Sequence, residues 1–144
     1  MPGKNILPFC SKPLISWTIE AALECKILDR VIVSTDSKEI ANIARVYGAE
    51  VPGLRPAELA HDTASAIDVF IYLWKKLVGD KVEDSPPFVI LQPTSPLRNS
   101  LDISEAIKLF HNKKADSVIF GSEEDHEPVW AKKIDKEGVL SDYF

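Results

Sequence analysis

The densest group of residues able to do chemistry is Gln92-Pro93-Thr94-Ser95-Pro96-Leu97-Arg98, which carries an amide, two hydroxyls and a guanidinium. Four apolar residues, Phe88-Val89-Ile90-Leu91, run straight into it. Such a run reads as a strand buried on both faces, as in a parallel sheet. Open α/β sheets bind ligands outside the carboxyl ends of their strands. Pro93 and Pro96 fix φ and remove backbone donors, so the loop is stiff. A stiff polar loop at that position suits a ligand. The competing reading has Thr94 and Ser95 capping the next helix and Arg98 solvated. Near the amino terminus, Gly3 lets the backbone approach a ligand closely. Lys4 beside it offers a flexible point charge suited to phosphate, although the same pair suits any surface. For Ser34, Thr35 and Asp36, capping is favoured over chemistry. His61 stands alone, with no second ligand nearby, so no metal role is expected of it.

These residues need elements to hold them. Leu14, Trp17, Thr18, Ala21, Ala22 and Cys25 recur at helical spacing and form one buried stripe, with Pro13 in the first turn. Arg30-Val31-Ile32-Val33 is rich in β-branched residues and reads as a strand. Asp36 and Glu39 resemble a capping box for a helix that buries Ile40, Ile43, Ala44 and Tyr47 and stops at Gly48. Glu50-Val51-Pro52 reads as a short edge strand. A third helix starts near Asp62 or Thr63, buries Ile67, Phe70, Leu73, Trp74 and Leu77, and stops at Gly79. Ser100 is placed to cap a fourth, which buries Leu101, Ile103, Ala106, Ile107 and Phe110. Another strand follows at 116–121 and a last one at 129–134. The spacing thus predicts helices near 13–25, 37–47, 63–78 and 101–113. Strands near 30–35, 87–92 and 116–121 are predicted to lie parallel in one sheet. Strands alternating with helices define an α/β class with right-handed crossovers.

The chain has 144 residues, enough for one domain, and 45% of them are hydrophobic, enough for a sizeable core. A net charge of −5 argues against a nucleic-acid surface. No apolar run approaches membrane-spanning length and no apolar signal segment opens the chain, so a cytoplasmic protein without membrane partners is expected. Cys10 and Cys25 lack metal-ligand spacing and fit a reducing compartment.

Five segments in order carry a resemblance: Pro2-Gly3-Lys4-Asn5-Ile6, Lys12-Pro13-Leu14-Ile15, Val33-Ser34-Thr35-Asp36, Arg55-Pro56-Ala57-Glu58-Leu59-Ala60 and Leu91 to Arg98. Together they resemble the acylneuraminate cytidylyltransferase family, the CMP-sialic acid synthetases, over essentially the whole chain. The resemblance implies a three-layer α/β/α, Rossmann-like nucleotide-diphospho-sugar transferase fold with a mostly parallel sheet. It implies transfer of CMP from CTP to a nonulosonic acid with release of pyrophosphate, in the cytoplasm, with Mg²⁺, by a homodimer in full-length form. Carried over residue by residue, it makes Lys4 and Asn5 the end of the nucleotide loop, with Lys4 on phosphate. Arg55 lies against the cytosine, with Ser65 nearby, although Ala66 stands where a second hydroxyl is frequent. Gln92, Thr94 and Ser95 belong to the turn that meets the sugar acid and nucleotide, and Lys4 and Gln92 are the candidate catalytic residues. No metal ligand is assigned within the chain, and the Mg²⁺ ligands are expected outside it. All these groups are expected to converge on one cleft.

The departures from the family pattern are also informative. The family's first strand and its Arg-x-x-Ser-Lys-like loop would precede Pro2, and its dimerisation segment and metal-holding acids would follow Phe144. Residues 1–144 are therefore expected to be a partial cytidylyltransferase domain, with Met1 at an internal position and little activity of its own. The alternative function is an inactive fragment with at most a binding or interaction role. Cytidylyl transfer to 3-deoxy-manno-octulosonate is disfavoured, because that relative usually has an acidic residue where Thr94 and Ser95 stand.

Overall fold

A computed structural model describes residues 3–61, 64–79, 86–121, 132–134, 136 and 139–142. The chain opens with a 3-10 turn, Lys4–Ile6, and a small hairpin of β1 (Pro8–Phe9) and β2 (Lys12–Pro13). Its two-residue tip has positive φ at both Cys10 (47°) and Ser11 (81°), the twist a tight hairpin needs. Trp17 Nε1 donates to the Phe9 carbonyl at 2.9 Å, and Lys12 Nζ sits 3.7 Å above the Trp17 ring while pairing with Glu20. Those contacts hold the hairpin on α1.

Helix α1 (Leu14–Glu24) is the hub. Ile15 and Ile19 on one side pack with Ala44 and Ala49. Ala21, Ala22 and Cys25 on the other pack with Ile103. Val31 touches both clusters, so one extended segment spans the two halves of the core. Helix α2 is Lys38–Val46, α3 is Ala66–Val78 and α4 is Ser100–Lys113. All four helices fall within a few residues of their expected ends, because each carries a local start or stop signal. The capping residues differ from expectation, however. Ser37, not Asp36, caps α2, with its Oγ accepting from Ile40 N–H at 3.3 Å. Asn99, not Ser100, caps α4 in a reciprocal box with Asp102. Gly79 closes α3 at φ 84°, as expected. Helix α3 starts at Ala66, three to four residues later than the expected start near Asp62 or Thr63, because Ser65 is the extended residue whose Oγ accepts from Ile67 N–H. Ile67 and Leu101, expected inside, are 67% and 63% exposed; Ile103 is buried as expected, and Val69 is buried although it was not among the expected residues. In each helix the exposed and the buried residue are two positions apart and so lie on opposite sides, with only the second facing the core.

The sheet departs most from expectation. The parallel arrangement is represented among the described residues by one bridge, Ile32 with Glu50. Glu50 N–H donates to the Val31 carbonyl at 2.8 Å, and Val33 N–H donates to the Glu50 carbonyl at 2.9 Å. Arg30 clamps the pair through two bonds to the Glu50 carboxylate, at 3.0 and 2.6 Å. Residues 86–92 and 117–121 carry no regular secondary structure and join no ladder among the described residues. Phe88, Val89 and Ile90, expected buried on both faces, are exposed, as are Ile119 and Phe120. An apolar run becomes a buried strand only where partners cover both its edges and its faces. Here only Leu91 reaches the core, against the α1–α4 cluster. The second described sheet is an antiparallel hairpin of β3 (Lys132–Ile134) and β4 (Leu140–Asp142). The expected strand residues 129–131 lie outside the described residues.

Candidate functional site

Arg55 is the best-anchored of the candidate residues. Its N–H donates to the Thr35 carbonyl at 2.8 Å, and its Nη2 reaches Asp36 Oδ1 at 3.5 Å. The buried Thr35 hydroxyl accepts from Ser37 N–H at 3.1 Å, which holds that turn in place. The Arg55 Nε is buried and has no hydrogen-bond partner. A buried unpaired N–H costs about 1–3 kcal/mol, so a ligand or water is wanted there. Arg55 also lines a cavity of about 270 Å³, shared with Leu59, Ala60, His61, Ala64, Ala66, Val69 and Phe70. A cation and an imidazole set among otherwise apolar walls suit a flat polar ring with apolar faces.

Ser65 lies between two residues of that wall, at the mouth of α3. Its Oγ accepts from Ile67 N–H at 3.2 Å, so it caps the helix. A serine hydroxyl that accepts one bond still has its own proton to donate. Phe70 ties the cavity to the segment leading into the polar turn: its ring centroid lies 6.3 Å from that of Phe88, and Trp74 lies 5.5 Å from Phe88.

The turn itself folds back around the Gln92 carbonyl. Ser95 N–H donates to it at 3.3 Å and Arg98 Nη2 at 3.2 Å. Thr94 Oγ1 donates weakly to Gln92 Oε1 at 3.5 Å. Neither Thr94 nor Ser95 caps a helix, and Arg98 is half-buried rather than solvated. Burial pushes the Arg98 guanidinium down from its ordinary value, and the charge of Asp102 partly offsets this. Gln92, Thr94 and Ser95 are exposed.

At the amino end, Gly3 at φ 69° opens the 3-10 turn. Lys4 is exposed, and Asn5 Oδ1 is buried without a partner. This turn packs on α1 and α2. The structure therefore joins Arg55 to the Ser65 region and, through Phe70 and Phe88, to the approach to Gln92. Among the described residues no hydrogen bond links Lys4 or Asn5 to Arg55 or Gln92. Sequence reasoning missed Asp36 as the partner of Arg55, Phe70 as a cavity wall and Arg98 as a clasp. The first two are pairings across distant segments with no local signal. The polar turn's own composition could have pointed to Arg98.

The helices and the parallel bridge are of the α/β kind. The chain superposes on a solved structure of CMP:2-keto-3-deoxy-manno-octonic acid synthetase complexed with CTP, with a TM-score of 0.63 over 80% of this chain and 43% of that one. Sequence identity is 21%, so that likeness speaks for the fold alone. The chain belongs to the cytidylyltransferase family, whose profile matches residues 1–141. It is 42% identical over 141 residues to a CMP-N,N'-diacetyllegionaminic acid synthase of Legionella pneumophila, covering 97% of this chain and 60% of that protein. It is 46% identical over 108 residues to an N-acylneuraminate cytidylyltransferase of Escherichia coli, covering 75% of this chain and 24% of that protein. A pseudaminic acid cytidylyltransferase of Campylobacter jejuni is 33% identical over 129 residues, covering 90% of this chain and 55% of that protein. The chain thus spans about three-fifths of the first of these relatives.

Proposed function

We propose that this chain takes part in CTP-dependent activation of a nonulosonic acid, giving the CMP-sugar and pyrophosphate. The supporting observation is the Arg55 cavity, with a buried guanidinium N–H lacking a partner, in a chain of the cytidylyltransferase family. In this reading the cytosine ring enters between the apolar walls and meets Arg55 and the Ser65 hydroxyl. Lys4 and Asn5 lie at the triphosphate, and Gln92, Thr94 and Ser95 hold the sugar acid. All converge on one cleft.

The sugar's anomeric hydroxyl attacks the α-phosphorus. A new phosphorus–oxygen bond forms, the bond from the α-phosphorus to the bridging oxygen breaks, and the hydroxyl proton passes to solvent. Such a transfer depends on positioning and on neutralising charge, which is the part assigned to Lys4. No group of three or more His, Cys, Asp or Glu residues suited to a metal ion occurs among the described residues. Mg²⁺ would need only one or two protein carboxylates beside the triphosphate oxygens, and it would supply charge neutralisation there. None of the described helices is long and apolar enough to cross a membrane. A cytoplasmic homodimer is part of the same proposal, and sedimentation tests the assembly.

The test is pyrophosphate release with CTP, Mg²⁺ and, in turn, sialic, legionaminic and pseudaminic acids. Calorimetric CTP binding by wild type and Arg55→Ala runs beside it. Loss of a charged contact to the base should weaken CTP at least tenfold. Equal CTP binding by the two proteins would remove Arg55 from the nucleotide site. Binding without turnover by wild type would favour the second reading, a chain that binds but does not catalyse.

A further inference from the structure

We propose that Arg98 is a positioning residue for the sugar-acid contact: it fixes the Gln92 peptide and so sets the direction of the Gln92 side chain. The proposal rests on the reading of the Gln92 turn as the substrate contact. Its basis is the convergence of donors on one oxygen. The Gln92 carbonyl receives Ser95 N–H at 3.3 Å and Arg98 Nη2 at 3.2 Å. Pro93 follows Gln92, so that peptide has no N–H with which to anchor itself. Its plane is held by the carbonyl end alone. A carbonyl oxygen has two lone pairs, and both are engaged here.

Arg98 is itself held from the far side. Its N–H donates to the Ser95 carbonyl at 3.4 Å, and the next residue, Asn99, is locked with Asp102 into the capping box that opens α4. The arginine therefore connects the rigid start of α4 to the residue expected to touch substrate. Its Nε is buried without a partner, an arrangement with no advantage for a merely solubilising arginine. Lysine could not replace it, because the planar fork is what lets one nitrogen reach the carbonyl while another stays buried.

The experiment is steady-state kinetics with CTP and the sugar acid that supports turnover, or calorimetric binding of CTP and of each sugar acid with Kd standing in for KM where there is no turnover, comparing wild type, Arg98→Ala and Gln92→Ala. Arg98→Ala should raise KM for the sugar acid about tenfold or more and leave KM for CTP within about twofold. Guanidinium ion at low millimolar concentration should restore part of the loss, whereas a purely structural defect would be unchanged by it. Hydrogen exchange at the Ser95 amide should quicken in the variant. If Arg98→Ala does not fold, Arg98→Met, which keeps the packed stem, is read in the same way. Should Gln92→Ala raise the sugar-acid KM while the arginine variant does not, the positioning role is overturned and the reading of the turn survives. Equal losses toward both substrates, without guanidinium recovery, also overturn it. If Gln92→Ala leaves the sugar-acid KM unchanged, the turn is not the substrate contact and the role of Arg98 falls with it.

Discussion

Replacing Ile103 by alanine tests how the core supports the polar turn. Ile103 is fully buried, and it packs with Ala21, Ala22 and Cys25 in a cluster that Leu28, Val31, Leu91 and Ile107 complete. Three of its neighbours are small, so little can move in to fill the space left by the lost carbons. The loss therefore combines transfer free energy with a residual cavity, about 2–5 kcal/mol for Ile→Ala. That is a large share of a net stability of roughly 5–15 kcal/mol. With a urea slope of about 1–3 kcal/mol/M, the unfolding midpoint should fall by about 0.7–5 M with the slope unchanged. Leu101→Ala on the same helix is the control, because Leu101 is 63% exposed and should change stability by no more than about 0.5 kcal/mol. Leu91 belongs to the cluster and directly precedes Gln92, so amide exchange across the turn should also quicken in Ile103→Ala. Equal midpoints for the two variants would refute this account of the core. Normal stability combined with faster exchange in the turn would refute the link between them.

Asn99→Ala removes one side of the α4 capping box and should cost about 1 kcal/mol, read as a lower urea midpoint; Ser100→Ala should be close to neutral, because Ser100 already lies inside the helix. Arg30 holds the Glu50 carboxyl below its ordinary value, chiefly through their hydrogen bond. A carboxyl whose folded pKa is depressed contributes stability above its unfolded value, and that contribution disappears as pH falls through the folded one. Wild type should therefore lose stability below about pH 4 faster than Glu50→Gln does, in acid-titrated thermal melts. Parallel acid profiles would show that the clamp on the parallel bridge carries no net weight, as exposed ion pairs often do not.

The helices were legible in the chain because their determinants are local. An apolar stripe at 3.6-residue spacing, an oxygen within three residues of the first turn and a glycine past the last are all readable in order. The caps were misassigned by one position each, since Asp36, Ser37, Asn99 and Ser100 are all competent acceptors. Only the backbone angles choose between them: Ser37 and Asn99 are the extended residues whose oxygens meet the waiting N–H groups. Family membership was equally legible, because it rests on residue types in register. Tertiary structure alone decided the rest. Phe88 to Ile90 announce that they can be buried, but a strand's hydrogen bonds come from segments far away in sequence, and the run says nothing of what covers it. Arg55 and Asp36, nineteen positions apart, meet only because the parallel bridge at Ile32 and Glu50 brings their segments side by side. Arg98 becomes a clasp for the same kind of reason: the turn between its two prolines closes on one carbonyl, and burial then removes the water that would otherwise have held the guanidinium.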